Sequence, residues 1–366
     1  MLFPKRKSIA NHHTIMKRIV LSIAILATII SCKAQGTKDT AALKPVVVTE
    51  KVLEDSDDPA IWINKNNPAQ SLVIGTDKDH TNGGVYVFTL DGKIDKKRTV
   101  TGLKRVNNVD IAYGLKMNNG KTDIAVATER NTNSIRVFSL PDMKIIDGKG
   151  IEVFQGETEQ KPMGIALYTR PSDGAIFAIV SRKSGPAEGY LYQYLLKDNG
   201  HGTVVGELVR RFGKYSGKKE IESVAVDNEL GYVYYSDEQT GIRKYYADPA
   251  KGNEELALFG KGEFKEDNEG ISIYKFDDGT GYILVSDQSA NRFNIYPREG
   301  AKGNANLHQR ITSIPVSTDQ SDGSDVTSIS LPGFEGGMFV AMSTDKTFQF
   351  YRWADIAGKA GLRIKK

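Results

Sequence analysis

The chain has one cysteine, Cys32, and five histidines in 366 residues. A single thiol permits no internal disulfide, and none lies beyond residue 32 to act as a nucleophile in the folded part. No apolar run is long enough to span a membrane as a helix; the longest candidate, residues 19–30, is too short. No segment carries a long amphipathic helical pattern, which excludes a helix bundle. An excess of basic charge is also missing. The formal +4 includes Lys5, Arg6, Lys7, Lys17 and Arg18 of the first 32 residues; without that segment 44 basic residues face 45 acidic ones. This is not the profile of a nucleic-acid binder.

The N-terminus reads Lys17-Arg18 after Met16, then the apolar run, then Ser31-Cys32-Lys33. A basic start, a short apolar stretch and a small residue before a cysteine resemble a bacterial lipoprotein signal. Cys32 is then the expected lipidation site, Met16 a plausible true start, and a cysteine in a plain secretory signal the alternative. The expected organisation is a signal over 1–32, a polar tether over 33–45 and one domain over 46–366. Such a protein is exported and held at a bacterial membrane by lipid alone, facing the periplasm or the surface.

Six segments of the domain repeat one pattern: an apolar strand, a Ser or Thr, a polar stretch, then a second strand with aromatics. The marker hydroxyls are Thr76, Thr128, Ser181, Ser236, Ser286 and Ser343, spaced 50 to 57 residues apart. A period near 50 with about four short strands predicts an all-β, six-bladed β-propeller. An earlier strand precedes each marker: DDPAIW (from Asp57), NNVDIAY (from Asn107), PMGIALY (from Pro162), EIESVAV (from Glu220), NEGISIY (from Asn268) and SDVTSISL (from Ser324). In a propeller these line the central channel, so residues at their starts converge. They include Asp57, Asp58, Asn108, Asp110, Met163, Glu222, Glu269 and Asp325. Two residues past each marker a second ring follows: Lys78, Arg130, Lys183, Glu238, Gln288 and Asp345.

Clustered carboxylates repel one another unless a cation neutralises them, and calcium takes six to eight oxygens in flexible geometry. Three cations on consecutive blades would face the acids, the combination a polyphosphorylated ligand requires. Asp and Asn are also common turn formers, and any one of these acids alone reads equally as structural. The histidines read as residues of solvated loops.

These segments resemble the β-propeller phytases over nearly all of the domain. The resemblance is carried by DDPAIW (57–62), LDGK (90–93), NNVDI (107–111), DNELGYVYYSDE (227–238), DNEGISIY (267–274) and GYILVSDQ (281–288). It implies calcium-dependent hydrolysis of phosphate from phytate, myo-inositol hexakisphosphate. Asp57, Asp58, Glu222, Glu238, Asp267 and Glu269 match the acids that hold catalytic calcium; Asn108 and Asp110 match a metal-binding pair, and Asp322 an acid near the neighbouring phosphate. Lys78, Arg130, Lys183 and Gln288 match substrate-binding residues. Met163 stands where the family has Tyr, Ser184 where it has Glu, and Ser223 where it has Gly, which weakens the second phosphate pocket. The covalent phosphatase motifs, Arg-His-Gly and Cys-x5-Arg, are absent. A closed propeller has its own core, so a monomer is expected. Two alternatives remain: a non-catalytic, membrane-anchored binding propeller, and a calcium-dependent lactone hydrolase.

Overall fold

A computed structural model describes residues 41–365; Cys32 and the expected signal lie outside them. Six antiparallel sheets follow one another along the chain, with strands in chain order within the first five. Blade I is Ser56–Trp62, Leu72–Asp77, Gly83–Phe88 and Val100–Leu103. Blade II begins with Val106–Met117 and Gly120–Glu129, and blade III with Pro162–Thr169 and Ile176–Arg182. Blade IV begins with Val224–Asp227 and Tyr232–Asp237, and blade V with Asn268–Lys275 and Gly281–Asp287. Blade VI takes Ser324–Thr327, Met338–Ser343 and Thr347–Arg352 from the chain's end, and Val47–Val48 from its start as the outermost strand. Val47 pairs with Phe350 and Val48 with Gln349, which closes the ring. Each innermost strand packs on the next, and the sixth on the first.

Apolar faces meet between blades, where Val126 and Val137 of blade II pack with Ile165 and Val180 of blade III. Second strands are therefore covered on both sides: all six residues of Leu72–Asp77 are buried. This is why these strands read as continuous apolar runs instead of alternating ones.

The marker hydroxyls join one blade to the next. Thr128 Oγ1 accepts from Asn108 N of its own blade at 3.1 Å and donates to Met163 O of blade III at 2.7 Å. Ser181 repeats this with Gly164 N (2.8 Å) and Ile221 O (2.6 Å). Ser236 donates to Glu269 O at 2.8 Å and Ser286 to Ser321 O at 2.7 Å. At the closure the roles change, and Ser56 Oγ donates to Ser343 O at 2.9 Å. A buried hydroxyl with both capacities used is what a repeat of Ser and Thr at one position selects for.

Two expectations need correction. The tether does not extend to residue 45, because Leu43 N donates to Pro315 O at 2.9 Å and Leu43 O accepts from Ser317 N at 3.0 Å, on the edge of blade V. His308 is not on a solvated loop: it is 4% exposed, its Nδ1 lies 2.8 Å from Pro297 O, and burial pulls its pKa down to about 4.

Candidate active site

The innermost strands of blades I, II, III and V each carry a register shift at the channel mouth, between Ser56 and Pro59, Val106 and Val109, Pro162 and Ile165, and Asn268 and Ile271. A bulge re-aims successive side chains. Asp57 consequently points into the mouth, whereas Asp58 Oδ2 accepts from Val109 N of blade II at 3.1 Å. The inner strands also come close together. A Cβ on Gly164 would fall 1.9 Å from Glu222 O, and one on Gly323 2.3 Å from Asp58 Oδ1, so only glycine fits at either place.

At the mouth, one carboxylate oxygen each from Glu220, Glu222 and Glu238 lie within 4.8 Å of one another, as do oxygens of Glu238, Asp267 and Glu269. Two acid triads therefore share Glu238. Asp57 joins through Asn107, whose Nδ2 donates to Asp57 Oδ2 at 2.8 Å and to Glu222 Oε1 at 3.1 Å. Lys78 Nζ bridges Asp57 (2.9 Å) and Asp322 (2.6 Å), and Gln288 Nε2 also donates to Asp322. Lys219 Nζ pairs with Asp267 and with Glu238 Oε2, the latter at 3.1 Å.

This set is short of positive charge. Burial first, then Asp57 nearby, raises Glu222 to about 8; burial and then Glu222 raise Glu238 to about 9. Burial and the neighbouring Glu238 push Glu269 well up, and burial raises Asp322 to about 6. Burial alone would lower Lys78, but Asp57, Asp322 and Glu222 outweigh it and hold it charged. Lys219 is the one partner of Glu238 Oε2, and among the described residues neither Glu238 Oε1 nor Glu269 Oε2 has a hydrogen bond, although the two residues are at most 3% exposed. Buried carboxylate oxygens without partners are costly. An all-oxygen donor set of this kind fits a hard divalent cation such as calcium.

The basic residues line one side. Arg130 is 5% exposed, its Nη2 abuts Met163 Sδ, and its Nε has no partner. Lys183 Nζ reaches Glu220 Oε2 at 2.5 Å. Beside it a pocket of about 400 Å³ is lined by Glu159, Lys161, Lys183, Ser184 and Lys219 among others. Ser184 Oγ donates to Glu159 Oε2 at 3.1 Å, so carboxylates reach this pocket from elements other than the one carrying Ser184.

The mouth does not gather every expected residue. Asp58, Asn108, Asp110 and Asp325 line the channel beneath it, a cavity of about 510 Å³. Asp110 accepts from Ile111 N (2.7 Å) and Leu167 N (2.6 Å), and Asp325 from Ile61 N (2.8 Å). With Asp58 they tie the inner strands of blades VI, I, II and III in succession, and burial raises Asp110 to about 6 and Asp325 to about 7. Ser223 does the same for blades IV and V, accepting from Ile271 N at 2.9 Å. Asp345 is exposed and bonds only its neighbour Thr347, at 2.6 Å. Asn107, Lys219 and Glu220 were missed. Pairing the two NN residues with the two DD residues in order would have set Asn107 beside Asp57; Lys219 lies outside every repeated strand and left no such signal.

A six-bladed propeller whose mouth sets acids that could hold a metal beside a cationic wall points to a class, the phosphate-ester hydrolases of propeller fold. The Phytase family profile matches residues 10–351, and the chain belongs to the phytase family. A curated relative, 3-phytase of Bacillus subtilis (strain 168), is 31% identical over 325 residues, covering 84% of this chain and 81% of its own. Among solved structures, the Dos1 propeller matches with a TM-score of 0.42 and 11% identity, over 80% of this chain and 66% of that one.

Proposed function

We propose that this phytase releases phosphate from phytate with calcium as cofactor. The observation that carries the reading is the pair of acid triads sharing Glu238, with Glu238 Oε1 and Glu269 Oε2 buried and unpartnered among the described residues, beside Lys78, Arg130 and Lys183. Glu222, Glu238, Asp267 and Glu269, with Asp57 alongside, are the residues that would hold calcium. Bound there, calcium would offset phosphate charge and make a water more acidic and nucleophilic. Lys78, fixed between Asp57 and Asp322, directs its ammonium to the phosphate oxygens at the mouth. Arg130 is pre-desolvated, with no carboxylate ion pair among the described residues, so a phosphate oxyanion completes its hydrogen bonding. Lys183 and Gln288 hold the rest of a multiply phosphorylated ring in place, and Asn107 orients Asp57 and Glu222 toward the reacting phosphate.

The same reading includes export, lipidation at Cys32 and attachment to a bacterial membrane, with the propeller acting as a monomer. The decisive experiment is phosphate release from phytate by the purified domain with calcium and with a chelator. Release only with calcium is expected. No release from folded protein under either condition would favour a binding propeller, and turnover of lactones instead would favour a lactone hydrolase.

A further inference from the structure

Among the described residues, the Glu238–Asp267–Glu269 triad has one ion-paired cation, and it is a side chain. Lys219 lies on the segment leading from blade III into the inner strand of blade IV. The backbone at and beside it is held: Tyr215 Oη donates to Lys219 O, and Glu238 N donates to the next carbonyl, Glu220 O, at 3.2 Å. Its neighbour Lys218 is tied down as well, Nζ to Gln239 O at 2.9 Å. The four-carbon stem carries the ammonium away from this anchored backbone, and the side chain is 38% exposed. The ammonium rests between Glu238 and Asp267, two carboxylates of the triad that would offer a divalent ion its ligands. The pocket beside it, with Lys161 and Lys183, is open to the same side chain.

We propose that Lys219 is a tethered counter-cation that neutralises this triad when no metal is bound and must leave Glu238 and Asp267 before calcium can bind there. The inference rests on the calcium reading above. Three carboxylates are only partly offset by one ammonium, so a divalent ion displaces it once concentrated enough. Two cations cannot share the same oxygens at ion-pair distance without strong repulsion. Lys219 therefore sets the calcium concentration at which the site loads, and its released head joins the basic side of the pocket.

Calcium titration calorimetry and thermal unfolding of the wild type, Lys219→Gln and Lys219→Met test this. Removing the competitor is expected to lower the calcium Kd about tenfold. Both variants should melt below the wild type in chelator and at or above it in saturating calcium; a variant that folds only with calcium is the extreme form of that result. Unchanged or weaker calcium affinity overturns the proposal. An equal loss of Tm with and without calcium also overturns it, since a purely structural contact would behave that way. If the wild type binds no calcium, the metal reading falls too, and phytate release measured in parallel identifies that case.

Discussion

Two groups of buried charge stand at opposite ends of the inner strand of blade IV. Past its last residue, Asp227, the side chains of Arg298 and Asp227 are fully enclosed and joined by two bonds, 2.5 and 2.7 Å, with Glu229 adding a third at 2.7 Å. Before its first residue stand Glu222 and its partners Glu238 and Glu269, like charges with oxygens left unpartnered. The first group is complete within the protein and ties blade IV to blade V. The second is complete only with something added. Burial of charge is common to both; the difference lies in whether the chain supplies the counter-charge.

The comparison breaks most visibly in catalysis. Glu238→Gln, which removes the acid shared by both triads, is expected to cut phosphate release about a thousandfold or more. Its stability in chelator should be unchanged or higher, because a buried carboxyl that its acidic neighbours disfavour is replaced by a neutral amide of the same shape; a large stability loss would show that the acid is structural. Arg298→Met is the mirror case. Leaving Asp227 buried without its partner costs about 3–5 kcal/mol in urea unfolding, while turnover per folded molecule is expected to stay at the wild-type level.

The two ends also respond oppositely to pH. Glu222 and Glu238, raised to about 8 and about 9, hold protons that the unfolded chain has already released above its ordinary value of 4.5. Stability in chelator should therefore fall as pH rises from about 5 to about 9, and calcium should flatten the decline. Asp227 is held below its usual range despite burial, through the Arg298 hydrogen bonds and charge. Its contribution is present above about pH 4 and disappears as pH drops through the lower folded value. A melting series across pH in chelator that stays flat from 5 to 9 would contradict the first half. The smallest effect belongs to the blade joints: Ser181→Ala leaves Ile221 O and Gly164 N without their shared hydroxyl, which should cost about 1–3 kcal/mol in urea.

Much of this arrangement was legible in the repeat. The marker hydroxyls counted the blades because the first five each donate to a carbonyl of the following blade or its approach, and the residues two places on include Lys78, Lys183, Glu238 and Gln288, which all reach the mouth. One place on, the same strand ends carry acids of the other kind. Asp77 accepts from Glu54 N, Asp55 N and Asp79 N, and Asp237 binds Arg243 and Ser216. Nothing in the residue type separates Asp237 from Glu238; strand alternation does, by turning them to opposite sides. Asp58 was misplaced because the bulge that turns it from the mouth leaves no mark on the sequence, and Asp110 because it lies deeper in its strand, past the bulge between Val106 and Val109. Lys219 was invisible for a different reason, since its position depends on how a connecting segment folds back.

The pairing of Val47–Val48 with the strand Thr347–Arg352 has a kinetic consequence. A contact between residues about 300 apart is among the slowest to form, because a very long loop must close before any burial rewards it. Lys78 meets Asp322 across the same seam, blade I to the approach of blade VI. The mouth therefore takes its final form only when the ring is shut. A chain truncated before the last blade would carry the acids of blades IV and V but not the fixed Lys78 opposite them, so turnover reports on completion of the whole circle.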